Sequence, residues 1–188
     1  VTLCKAIYAD VDMVNAHVVE LLQLCEKHSI SKTTYLVAYV KHRDKILKKM
    51  METCDISRDQ AKTAFITALY GGNYNKHLSR EMERDISYPF LDHFTYELRK
   101  ITDAILELPE YAPLLVKAIA QNKAKKVNGC MKNPKATALS WILQSIELEL
   151  FEAYAEYSQQ HGMTVDVNMY DGGMPRQHEN LTDQFLLD

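Results

Sequence analysis

Val165-Asp-Val-Asn-Met-Tyr170, Asp171-Gly-Gly173 and Met174-Pro-Arg-Gln177 together decide the fold. The first run reads as a strand, Asp-Gly is a strong hairpin signal, and the last run reads as a short return strand. A two-stranded hairpin is marginal in water, so it needs a further partner. The other end of the chain offers one. Leu3-Cys-Lys-Ala-Ile-Tyr-Ala-Asp-Val-Asp12 is apolar and β-branched enough for a strand, and two carboxylates, Asp10 and Asp12, sit at its end. Pairing of these segments brings the end of the first strand beside the Asp-Gly turn, so that Asp10 or Asp12 faces Asp171.

Helices fill the interval. Asn15 is an expected N-cap, followed by Val18, Val19, Leu21, Leu22 and Cys25 at helical spacing up to His28. A second helix is predicted from about Thr33 to Met51, with Leu36, Val40, Ile46 and Leu47 on its apolar side. The same stretch carries a basic run of Lys41, His42, Arg43, Lys45, Lys48 and Lys49. A third begins after Ser57, its expected cap, and stops at Gly71-Gly72, where glycine can adopt left-handed backbone. Further helices are expected from about Ser79 to Leu108 with a break near Pro89, from about Glu110 to Lys126, and from about Ala136 to Gln160. Leu181 to Leu187 is expected to add a helical turn. There is no repeating βαβ unit and no internal repeat. The fold class is therefore α+β and helix-dominated, with a small antiparallel sheet made of the N-terminal strand and the C-terminal hairpin.

Composition agrees with a folded domain. The 188 residues carry 22 Lys and Arg against 25 Asp and Glu, a net charge of −3, with 47% hydrophobic and 25% charged residues, which excludes disordered and collagen-like classes. No apolar stretch reaches the ~18 to 20 residues of a bilayer span, so no membrane partner is expected. Cys4, Cys25, Cys54 and Cys130 make no Cys-x-x-Cys pair, so neither a zinc module nor a disulfide scaffold is encoded, and an intracellular, reducing setting is expected. The chain opens at Val1, directly in a predicted strand, as a fragment of a longer protein would.

Two carboxylates at adjacent strand ends are the hard-oxygen arrangement that holds Mg²⁺ together with substrate phosphates. Asp10 and Asp12 compete for that role, because residues two apart on a strand share a face. Two such ions, roughly 3.5 to 4 Å apart, activate an attacking hydroxyl and stabilise a leaving pyrophosphate. Arg58 and Lys62, four apart on the third helix, lie on one face, where two cations can grip a triphosphate.

Arg58-Asp-Gln-Ala-Lys62-Thr-Ala-Phe-Ile-Thr-Ala-Leu-Tyr70-Gly71 resembles motif B of family A DNA polymerases, the fingers helix that holds the incoming nucleotide. Asp12-Met-Val-Asn-Ala-His17 resembles motif A, whose strand-end Asp binds both metals, and Tyr170-Asp171-Gly172 resembles motif C, which supplies the second Asp. The order of the three motifs agrees. The resemblance implies a palm of about residues 1–30 and 135–188, with fingers of about 31–134 inserted. It implies Asp12 and Asp171 as catalytic metal ligands with Asp10 as a further candidate, and Lys62 as a catalytic cation. Arg58, Lys62, Tyr70, His17 and Ile66 would bind the nucleotide.

The implied activity is template-directed nucleotidyl transfer to a primer 3′-hydroxyl with two Mg²⁺ ions, or Mn²⁺ in their place. The implied partners are template, primer and nucleoside triphosphates. Three positions depart from the family. His17 stands where a Glu screens the sugar 2′ position, Ile66 stands where a Tyr stacks on the nucleotide, and Gly172 takes the place of a motif C carboxylate. Ile66-Thr67 before Tyr70-Gly71 also looks like the single-subunit RNA polymerase version, so primase or RNA polymerase-like synthesis is the alternative, beside a degenerate nucleic-acid-binding relative. The motif set is similar to that of polymerase-like proteins of large DNA viruses and mobile elements, some with helicase or primase modules in the same protein. For a viral protein this implies the host cytoplasm or nucleus.

Overall fold

Seven helices and three strands make up the described residues of the computed structural model, which are 7–9, 11–124, 133–169 and 172–176. The chain divides into two units, Val1–His17 with Leu143–Asp188, and Val18–Ile142. The limits fall at the start of helix α1 (Ala16–Lys27) and within helix α7 (Pro134–Gln160). Among the described residues no helix is long and apolar enough to cross a membrane.

The first unit contains the sheet, and its class is the expected one. Strand β1 (Val11–Asp12) pairs antiparallel with β3 (Gly172–Pro175), and β3 pairs antiparallel with β2 (Val165–Met169), giving the order β1-β3-β2. The hairpin differs from expectation in one respect. Gly172 and Gly173 are strand residues, paired with Met169 and Asn168 on one side and with Asp12 and Val11 on the other. They belong to the ladder instead of the turn, and only Tyr170 and Asp171 separate the paired ends in sequence. The N-terminal strand is also shorter among the described residues than Leu3 to Asp12, with Tyr8 bridging Arg176 before Val11 resumes the pairing.

A bulge at Asp166 lets two residues of β2 oppose one of β3, and bulges re-aim side chains. The Asp166 carboxylate takes the Arg176 Nε at 2.6 Å and the Tyr8 hydroxyl at 2.9 Å. Arg176, with Tyr8, holds that carboxyl below the ordinary aspartate range. Gly173 has a packing reason to be glycine. A Cβ there would stand 2.7 Å from Cε2 of Phe151 and 3.1 Å from Cγ1 of Val165. Gly173→Ala is therefore expected to cost about 1–3 kcal/mol through overpacking, read by denaturant unfolding. Wild-type stability in that variant would mean that the Phe151 ring moves aside freely.

The second unit is helical. Helix α2 (Thr34–Cys54) runs three residues further than expected. Thr33 gives it no side-chain cap. Instead the Glu97 carboxylate accepts from the backbone N–H groups of Tyr35 at 3.0 Å and Leu36 at 2.7 Å, satisfying orphan donors where negative charge is favoured. Helix α3 (Arg58–Leu69) starts at the expected Ser57, within a full capping box with Gln60. It is closed by Tyr70 and by Gly71 at φ +68°.

Helix α4 (Tyr74–Met82) begins five residues before the expected Ser79 and is separate from α5 (Pro89–Glu107). Asn73 caps it by accepting from the Lys76 N–H at 2.9 Å, so the glycine pair ends one helix directly before the next. Helix α6 (Ala112–Ala124) follows, and then α7. The core of this unit is the set of fully buried Leu36, Leu47, Met50, Leu78, Leu91, Phe94, Leu98, Ile101 and Ile105. An aromatic cluster joins three helices. The Tyr39 ring of α2 stacks on Phe65 of α3 at 4.2 Å, and Phe94 of α5 lies 5.3 Å from both rings. The expected helical turn over Leu181–Leu187 lies outside the described residues.

Candidate active site

Asp12 is exposed at the end of β1, and its Cα is paired with that of Gly172, the residue that follows Asp171 in the sequence. The expected meeting of the first strand with the Asp171 segment is thus a strand pairing. Asp10, Tyr170 and Asp171 themselves lie outside the described residues. Among the described residues no group of three or more His, Cys, Asp or Glu side chains is placed to hold a metal ion. The donor that is placed, Asp12, is a hard oxygen at a strand end, of the kind Mg²⁺ takes once or twice while substrate phosphates and water complete its shell. Of the three expected carboxylates, Asp12 alone lies within the described residues.

His17 sits in the first turn of α1, and its Nε2 lies 3.4 Å from the Glu147 carboxylate of α7. Glu147 is one residue that the sequence reading does not single out. Its side chain is only 7% exposed, and it occupies the face of α7 that also buries Leu143 and Phe151. An acid at the i+4 and i−4 positions of two buried apolar residues was the available signal, since a carboxylate there needs a partner.

On α3 the expected cations share one exposed side, but each has a carboxylate beside it. Arg58 donates from Nη2 to Oδ1 of Asp44 on α2 at 2.6 Å, and Lys62 lies 3.8 Å from Asp59. Asp44 is the lone acid inside the basic run of α2, and the sequence reading passed over it. The hydrogen bond and charge of Arg58, helped by Arg43 and Lys62, hold its carboxyl below the usual 3.8. The pair therefore persists above that value and is lost as pH falls through the lowered value of Asp44. In an NMR titration the Asp44 midpoint is expected below 3.8 and should rise toward it in Arg58→Ala. An unmoved midpoint would mean that Arg58 does not hold the carboxylate in solution.

Ile66 continues the same side of α3 one turn further, 56% exposed despite its apolar side chain. Tyr70, half-buried, ends the helix, its N–H bonded to the Ile66 carbonyl at 3.2 Å. Behind this helix Tyr74 donates to Asp92 at 2.5 Å, and burial with that carboxylate pushes its pKa to about 12. Cys25 and Cys54 are free, buried thiols. Burial, with Glu97 and Glu26, pushes Cys25 up to about 12, so it stays a neutral packing group.

No protein-family model matches the chain, and no solved structure matches it. A protein named "Putative helicase V13" of Sputnik virophage is 30% identical to it over 174 residues, which cover 89% of this chain and 20% of that protein. The chain therefore spans about a fifth of the length of this relative.

Proposed function

We propose that the chain is the palm and fingers part of a template-directed nucleotidyltransferase, which adds nucleotides to a primer 3′-hydroxyl. The observation that carries this reading is the register of β1 on β3, with Asp12 opposite Gly172, next to Asp171 in the sequence. It supports the resemblance of these segments to motifs A and C of family A polymerases. The capped helix that presents Arg58 and Lys62 on one side supports it as the counterpart of motif B.

Asp12 and Asp171, with Asp10 as a third carboxylate, would hold Mg²⁺, which when bound neutralises phosphate charge and makes the primer hydroxyl a better nucleophile. Arg58 and Lys62 bind the triphosphate, and Arg58 exchanges the Asp44 carboxylate for phosphate oxygens as it does so. Ile66 and Tyr70 line the nucleotide on the same helix. His17, 3.4 Å from Glu147, takes the position of the family's Glu in the motif. Template, primer and nucleoside triphosphates are the partners, inside a host cell if the parent protein is viral. The name of the virophage relative supports a helicase module elsewhere in a longer parent protein.

The test is Mg²⁺-dependent extension of a labelled primer on a DNA template, run separately with deoxynucleotides and ribonucleotides beside Asp171→Ala. Extension that is lost in the variant supports the reading and gives the sugar preference. A second reading is favoured by that same relative, since its name is a helicase: a nucleic-acid-binding segment that transfers no nucleotide. Primer binding by a folded protein, with no extension from either nucleotide set, would select this second reading.

A further inference from the structure

Arg99, on the exposed side of α5, lines two cavities at once, one of about 290 Å³ and one of about 330 Å³. It makes no hydrogen bond or ion pair among the described residues. The other charges of the two cavities are committed. Asp103 holds Lys135 at 2.6 Å, and Asp92 accepts from Tyr74 and Ser87. One uncommitted guanidinium therefore stands between two hollows, and a guanidinium is the side chain best shaped to take a phosphate in two hydrogen bonds.

Each hollow has the chemistry of a nucleoside. One turn before Arg99, Tyr96 lines the second cavity with its side chain 61% exposed, and the Lys100 ammonium lies 4.4 Å from its ring centroid. Lys100 covers one face of this exposed ring, and the other is a stacking platform for a base. The first cavity has a floor of buried Leu98 and Leu139 and a carboxamide, Asn133, on its wall. A carboxamide offers both a donor and an acceptor to a base edge.

We propose that this face of α5 binds a single strand of nucleic acid, with a phosphate on Arg99 and the nucleosides on either side of it in the two cavities. The proposal rests on the reading that the chain handles nucleic acid, and it adds a strand-binding surface that the three motifs do not supply.

The test is fluorescence anisotropy of labelled oligothymidylate and oligouridylate, without nucleotide or Mg²⁺, across a range of salt. Tyr96→Ala is expected to weaken binding roughly fivefold to a hundredfold, while Tyr96→Phe keeps it. Arg99→Ala is expected to reduce the slope of log affinity against log salt by about 0.7, the release of one phosphate contact on a single strand. Because the assay needs no catalysis, it reads this face even in a chain that extends no primer. Absence of binding by the wild type, or unchanged affinity and slope in folded Tyr96→Ala and Arg99→Ala, overturns the proposal whether or not extension is seen.

Discussion

Asp12→Ala is expected to lower Mg²⁺-dependent primer extension on the order of a thousandfold, with the fold intact. The scale follows from removing preorganised charge that faces a transferring phosphoryl group. The intact fold follows from the position. Asp12 is exposed on a two-residue strand, so the substitution empties no part of the core. Asp171→Ala is expected to behave alike. Asp12→Asn is the sharper comparison, because it keeps size and hydrogen bonding while removing the charge. Wild-type extension by a folded Asp12→Ala protein would sink the proposed role of this residue, and with it the correspondence of β1 to motif A. Unchanged melting of the variant, read by circular dichroism, separates lost chemistry from lost structure.

What the sequence made legible was what neighbouring residues decide. Ser57 and Gln60 lie three apart, and their reciprocal cap starts α3 where expected. The Asp-Gly signal and the apolar, β-branched N-terminal run were enough to pair β1 with the hairpin. What stayed hidden was settled by contacts across the chain. The N-terminus of α2 is capped by Glu97, some sixty residues further on, so no local pattern could mark it. Asp44 lies fourteen positions from Arg58, and only the packing of α2 on α3 makes them a pair. Asp-Gly favours a hairpin but does not fix its register. The ladder places Gly172 and Gly173 inside β3, where Phe151 of α7 leaves no room for a side chain at Gly173. The start of helix α4 was displaced for a different reason. Its cap Asn73 follows a glycine pair, and glycines that end one helix also obscure the start of the next.

The same cross-chain packing makes Phe94 the position where a single truncation should cost the most stability. Phe94→Ala is expected to destabilise the protein by about 3–5 kcal/mol, the usual cost of removing a buried phenyl group. Phe94 has no exposed surface, and its ring meets Tyr39 of α2 and Phe65 of α3 at 5.3 Å each, with Phe90 at 6.4 Å. Aromatic pairs add about 0.5–1.5 kcal/mol beyond the area they bury, so the loss should lie toward the upper end. Phe94→Leu fills most of the volume and should cost clearly less, which denaturant unfolding of both variants would reveal. A cost under about 1 kcal/mol for the alanine variant would mean that the helices close over the gap. The consequence reaches the candidate site. Phe65 lies on the buried side of the helix whose exposed side carries Arg58 and Lys62, and Tyr39 stands about one turn before Asp44 on α2. The aromatic cluster joins the two helices that carry the Arg58–Asp44 pair, with the kink of α2 at His42 between Tyr39 and Asp44. In Phe94→Ala the Asp44 carboxyl should titrate closer to the usual 3.8 even where the protein remains folded, because the two helices are no longer held at one distance.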